Sequence, residues 1–325
     1  VNSPVNAIVT GATGFLGAAL VARLLAAGGK VAVIARQDSP NLKRLPNHPS
    51  LLVVNGDFSD VGAWQEPLAG FPAEVFYHLA WGGVGNSYRN DARQTANIEP
   101  SLETLRLAGE LGCRRWVGTG SQAEYGPLNR RISEIDPPEP TSLYGAAKAA
   151  TCLLTQVLGK QLGIEPVWAR VFSTYGPGDN SGWMLVDVIR QLLDGQRPAL
   201  TPGEQLWDYL YVDDAADALF AMGKSENLSG IYNLGSGQSR TIRSIAEMAR
   251  DLINPELPLG FGEIPYRPDQ VMHLEADIDK LIKDTGWRPQ VSLEAGIRNL
   301  VDWIKGAAME NLHANTVRVA GRGRS

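Results

Sequence analysis

Asn6-Ala7-Ile8-Val9-Thr10-Gly11-Ala12-Thr13-Gly14-Phe15-Leu16-Gly17 sets a short β-prone run against three regularly spaced glycines, and the apolar helical segment Ala18–Ala27 follows at once. Strand, glycine turn and helix together form the context in which a dinucleotide pyrophosphate binds. Gly11 permits the tight turn, Gly14 lets the pyrophosphate approach the backbone, and Gly17 lets the helix pack close to the strand. The helix N-terminus then offers free N–H groups and a favourable dipole to the phosphates. Thr13, Phe15 and Leu16 lie inside the same turn and complete this part of the expected cofactor-binding set.

Working outward, Lys30–Ala35, Leu51–Asn55, Glu74–Leu79 and Arg115–Gly120 read as further buried strands, with a helix over Thr95–Leu111. Strands alternating with helices at this spacing predict an α/β fold, a doubly wound parallel sheet of the Rossmann type. In such a sheet ligands sit at the carboxyl ends of the strands. The second strand ends at Ala35 and Arg36, without the carboxylate that holds a ribose 2′-hydroxyl; a guanidinium there suits a 2′-phosphate, so NADP(H) is expected over NAD(H). Asp57 and Phe58 follow the third strand and are placed at the adenine. Leu79, Ala80 and Trp81 follow the fourth, beside the cofactor, with Gly83 nearer the substrate and Asn97 near the start of the next helix.

The fifth strand delivers Gly120-Ser121-Gln122-Ala123-Glu124-Tyr125-Gly126, and Tyr144-Gly145-Ala146-Ala147-Lys148 comes soon after. Tyr144 and Lys148 are four apart, so a helix presents both on one face. A lysine ammonium beside a phenol favours the phenolate, which makes Tyr144 a proton donor or acceptor near neutral pH. Ser121, leaving a strand on the edge that carries the glycine turn, can hydrogen-bond the carbonyl oxygen that Tyr144 protonates.

Composition narrows the partners. The chain has 325 residues, 44% of them hydrophobic, enough for one large or two linked domains. A net charge of −5 shows no basic footprint, so nucleic acid is not an expected partner. No apolar run is long enough to span a bilayer, no secretory signal is evident, and Cys113 and Cys152 lack metal-ligand or redox spacing. A cytoplasmic setting without a metal is expected. The end of the chain, 313–325, reads as a disordered tail.

Taken together, Gly11, Gly14 and Gly17, the Ser121 loop and the Tyr144–Lys148 pair resemble the extended short-chain dehydrogenase/reductase superfamily, and within it the nucleotide-sugar epimerase/dehydratase family. The resemblance runs from about Asn6 to Lys305. Ala169–Gly178 is similar to the family's strand and loop that closes over the nicotinamide, implying that Val171 touches the cofactor and Ser173 the substrate. Glu204–Asp214 resembles the central substrate-domain motif, and Tyr266-Arg267-Pro268-Asp269 the segment whose arginine clamps the diphosphate. The resemblance implies a cofactor domain over 1–172 and a smaller α/β substrate domain mostly over 173–312, some of whose segments return to the first. It also implies a sugar-nucleotide substrate bound by Gly83, Ser121, Gln122, Ser173, Trp183, Trp207 and Arg267. A homodimer built on the two long helices is expected, whereas Trp287 is given a packing role.

Departures from the family pattern narrow the activity. The Ser121 loop lacks the Thr-Asp-Glu triplet of sugar-nucleotide 4,6-dehydratases, and Trp207 stands where many relatives carry arginine. These features look most like the branch that reduces dTDP- or CDP-linked 4-keto-6-deoxyhexoses, with NADPH as hydride source, Tyr144 as acid, Lys148 lowering its pKa and holding the nicotinamide ribose, and Ser121 polarising the ketone. The alternatives are an epimerase that borrows one hydride on tightly held NAD, and a non-catalytic NADP(H)-sensing protein.

Overall fold

The structure, a computed structural model, describes residues 4–306; the expected tail lies outside the described residues. The first part of the chain runs β1 (Ala7–Thr10), α1 (Phe15–Ala26), β2 (Val31–Ala35), β3 (Leu51–Asn55), α2 (Gln65–Leu68), β4 (Val75–His78), α3 (Ile98–Glu110), β5 (Arg115–Ser121), β6 (Arg130–Ile132), α4 (Leu143–Leu162) and β7 (Val167–Val171). The second part runs β8 (Ser173–Tyr175), α5 (Met184–Leu193), β9 (Ala199–Leu200), β10 (Leu206–Tyr211), α6 (Val212–Lys224), β11 (Gly230–Leu234), β12 (Ser239–Thr241), α7 (Ile242–Ile253), β13 (Gly260–Phe261), β14 (His273–Ala276) and α8 (Asp279–Thr285). Residues 293–306 are helical.

Seven strands form one parallel sheet in the order β11-β7-β5-β4-β1-β2-β3. Its central strands are buried on both faces. Ile8, Phe76, Trp116 and Trp168 pack into one layer with Leu105 and Ala108 of α3. Their chain neighbours Val9, Tyr77, Val117 and Ala169 pack into the other, with Leu20 and Leu24 of α1 and Leu219 of α6. Burying each large side chain stabilises the fold by roughly 1.5–3 kcal/mol. A slip of one residue would exchange the two sets, so the pattern fixes the register.

A second sheet runs β12-β10-β14-β6, with β8 also pairing with β10. Thus residues 130–132 join the second sheet although they precede residue 172, and residues 230–234 return to the first beside β7. The helix expected over Thr95–Leu111 divides into a 3-10 segment, Ala92–Asn97, and α3. Asn97 sits at the join, and its side chain bonds the preceding loop instead of capping the helix.

The strand order reverses between β1 and β4, and that switch point opens a crevice at the carboxyl ends of the strands. Gly11 adopts φ +69°, and a Cβ there would meet the Leu79 and Ala80 backbone at 2.7 Å. At Gly17 a Cβ would lie 2.1 Å from the Gly11 carbonyl oxygen, so α1 can approach the turn only without a side chain.

Candidate active site

A cavity of about 710 Å³ occupies the crevice, with Gly11, Thr13, Arg36, Asp57, Phe58 and Trp81 among the residues around it. Another cavity, lined by Glu74, Arg114 and Arg115, opens on residues at the amino ends of β4 and β5, away from the glycine turn. Gly14 caps α1 without a side-chain hydrogen bond, and no acidic residue stands in the first turn. The leading N–H groups of α1 are therefore available to an anion. By contrast, Ser142 caps α4 by accepting from Gly145 N–H at 3.1 Å. Trp64 also lines the cavity, and its buried Nε1–H has no acceptor among the described residues. The chemistry of these groups fits a dinucleotide.

Beyond the ends of β2 and β3 the cavity carries Arg36, whose Nη1 is 4.0 Å from Asp57 Oδ2. Asp57 Oδ1 accepts from Ser59 N–H at 2.9 Å and Ser59 Oγ at 2.6 Å. These two bonds hold its carboxyl below the usual range, Arg36 contributing less. Asp57 therefore braces its own turn while one edge faces the cavity.

Trp81 is fixed by Gln94, a buried residue that the sequence does not single out. Gln94 Oε1 accepts from Trp81 Nε1 at 2.8 Å, and its Nε2 donates to Gly83 O at 2.6 Å and Tyr88 O at 3.0 Å. Asn97 binds both the N–H and the carbonyl of Gly82, at 2.6 and 3.1 Å. Its amide thus shapes the loop that walls the cavity.

Ser121, Tyr144 and Lys148 lie in one region of the crevice, all at least nine-tenths buried. The Ser121 side chain faces the Tyr144 phenol and favours its ionised form. The Trp81 ring meets Tyr144 edge-on, centroids 6.2 Å apart, and Lys148 Nζ sits 3.9 Å from the centroid of that indole. Lys148 Nζ donates to Thr119 O at 2.7 Å.

The electrostatics correct one expectation. Burial pushes the Tyr144 phenol above its ordinary value, with Ser121 and then Arg89 acting against the rise. Burial also brings the Lys148 ammonium from 10.5 down to about 7, Glu124 opposing. Ser121, Arg89 and Glu124 are the groups that shift the phenol, and Lys148 is not among them. His78 stays neutral, held down to about 3 by burial and secondarily by Lys148.

The lowered Lys148 carries a stability consequence. A buried ammonium opposes folding fully below about pH 7 and progressively less as pH rises from about 7 towards 10.5. Lys148→Met should stabilise the protein by about 2 kcal/mol at pH 6, less than the full linkage value because Thr119 O loses its donor. Thermal unfolding at pH 6 and pH 10 checks this: the gain should shrink at pH 10, and a loss at pH 6 would refute it.

Beneath the Ser121 loop lies a buried ion pair that spacing did not reveal. Glu124 Oε1 accepts from Ser121 N–H at 2.9 Å and Trp168 Nε1 at 3.0 Å, while Oε2 accepts from Arg170 Nε at 2.7 Å. Gln122 lies on the same loop, in the 3-10 turn Gln122–Glu124, and Val171 pairs with Ser121 across the sheet.

Of the expected substrate residues, Gly83 lines the cavity. Ser173 Oγ accepts from Trp207 Nε1 at 2.7 Å, tying β8 to β10, and Trp183 leads into α5. Arg267 is exposed, 3.9 Å from Asp269, and is not among the cavity-lining residues. Trp287 is buried and donates to Asp214 O, a packing position.

A dinucleotide crevice with serine, tyrosine and lysine gathered beside it defines an extended short-chain dehydrogenase/reductase. The chain belongs to the NAD dependent epimerase/dehydratase family, whose model matches residues 7–235. UDP-glucuronic acid decarboxylase 3 of Arabidopsis thaliana is 30% identical, across 89% of this chain and 86% of that protein. The dTDP-L-rhamnose 4-epimerase of Burkholderia thailandensis is 27% identical, across 91% and 94%. The UDP-glucose 4-epimerase of Thermus thermophilus, solved as a complex with NAD, superposes with a TM-score of 0.81 at 27% identity, covering 93% of this chain and 99% of that one.

Proposed function

We propose that this protein reduces the C4 ketone of a dTDP- or CDP-linked 4-keto-6-deoxyhexose, with NADPH as reductant. The observation that carries the reading is the Ser121–Tyr144–Lys148 cluster beside a loop whose one carboxylate, Glu124, is locked onto Arg170 and Trp168. Such a loop offers a proton donor for carbonyl chemistry but no free acid–base pair for dehydration. Ala35 and Arg36 at the ribose end support the 2′-phosphate.

When bound, the dinucleotide supplies hydride to the ketone carbon. Ser121 donates a hydrogen bond to the ketone oxygen, Tyr144 gives that oxygen its proton, and the ketone becomes an alcohol. Lys148 holds the nicotinamide ribose, while the walls of Trp81 and its loop keep water away. Gln122, Ser173, Trp183, Trp207 and Arg267 are assigned to the sugar nucleotide.

A second reading, an epimerase on tightly held NAD, is favoured by the activity in the Burkholderia relative's name and by Asp57, which draws part of the Arg36 charge away from a 2′-phosphate. Absorbance of NADPH with dTDP- and CDP-4-keto-6-deoxyglucose supplied separately separates the two. The reductase consumes one NADPH per sugar reduced. A changed sugar with no added cofactor and no NADPH loss would instead establish the epimerase.

The same reading includes a cytoplasmic homodimer. The outer face of α4 leaves Leu153 and Val157 about 60% exposed, with Leu154 beside them, a patch suited to a second copy. Leu153→Glu with Val157→Glu should halve the mass seen by sedimentation; an unchanged mass would exclude this face.

A further inference from the structure

Arg89 is a cation without a counter-ion, set against the proton donor. Its guanidinium carbon lies 5.3 Å from the Tyr144 ring centroid, and its Nε is buried without an acceptor. Among the described residues it forms no ion pair. An aromatic face recovers part of what such a guanidinium loses in leaving water. The backbone makes the pairing rigid: Tyr144 N–H donates to Arg89 O at 2.8 Å, and Leu143 N–H donates to Asn90 Oδ1 at 3.2 Å. Gln94 secures the same loop through Gly83 O and Tyr88 O.

The other groups that act on the phenol come from every packed element. Glu124, from the turn after β5, disfavours ionisation; Ser121 favours it. Lys148, one turn along α4, is bonded to Thr119 O and gives up its charge near pH 7, with neutral His78 nearby. A guanidinium keeps its charge throughout. We propose that Arg89 is a positioning residue for Tyr144, the fixed positive charge that steadies the phenolate left when the proton is given up. This rests on Tyr144 being the proton donor, and it adds a second cation, from the loop before α3, to the task that the sequence assigns to Lys148.

The test places difluorotyrosine at position 144 and follows its fluorine resonance against pH in otherwise native protein, in Arg89→Met and in Arg89→Lys. The ionisation midpoint should rise by about one pH unit in the methionine variant and stay near the native value in the lysine variant. Should Arg89→Met fail to fold by circular dichroism, Arg89→Gln removes the charge and is read in the same way. A midpoint that is the same with and without the charge overturns the proposal. Turnover should follow, with kcat down about tenfold at pH 7 and KM for the sugar within about twofold. The resonance needs no substrate. A moved midpoint with no nucleotide sugar turned over would therefore refute the reductase and leave the role of Arg89 standing.

Discussion

Tyr144→Phe should abolish turnover, by about 10³-fold or more, while dinucleotide affinity changes less than about twofold. Phenylalanine keeps the ring that meets Trp81 edge-on and underlies Arg89, so the walls of the site remain. What disappears is the hydroxyl facing Ser121, which on the proposed reading gives the forming alkoxide its proton. On the proposed reading the cofactor lies on the α1 N-terminus and around Asp57, so its affinity depends little on that hydroxyl. Steady-state rates beside fluorescence titration with NADPH measure both quantities. A variant that turns over within tenfold of the native rate would remove Tyr144 from the role of acid.

Glu124→Gln should cost about 3 kcal/mol or more of stability, the largest loss expected from any isosteric change near the site. Glu124 is fully buried, and its partner Arg170 is almost so. An amide leaves the Arg170 guanidinium charged and uncompensated, and the cation–π contact with Tyr125, at 4.2 Å, cannot make up the difference. Replacing both, as Glu124→Leu with Arg170→Met, should recover much of the loss, because the damage comes from breaking the pair and not from lacking it. Urea midpoints of the single and double variants decide this. A single variant less than about 1 kcal/mol weaker than native would mean that the pair contributes little. Activity should fall with stability, since the Glu124 carboxylate accepts the backbone N–H of Ser121.

The fold was legible because its signals are local. The β1–glycine–α1 stretch, the apolar strands and the Tyr144–Lys148 spacing are each written within a few neighbouring residues, and Ser121 follows once the sheet edge is known. The loop from Trp81 to Asn97 was not legible. Gln94 organises it through bonds to positions 81, 83 and 88, and glutamine carries no positional signal comparable to glycine's. Glu124 reaches Arg170 across 46 residues, a pairing that exists only after β5 and β7 align. The electrostatics of Tyr144 were misread for a related reason. Helical spacing places Lys148 nearby, but its charge depends on burial beneath Trp81, which spacing does not encode.

Transfer of label from NADPH deuterated at the reactive nicotinamide carbon tests the central claim most directly. With a dTDP- or CDP-4-keto-6-deoxyhexose and the native protein, the product should carry one deuterium on the former ketone carbon, with one cofactor oxidised for each sugar. A product formed without deuterium, and without net oxidation of the added cofactor, would contradict the reductase.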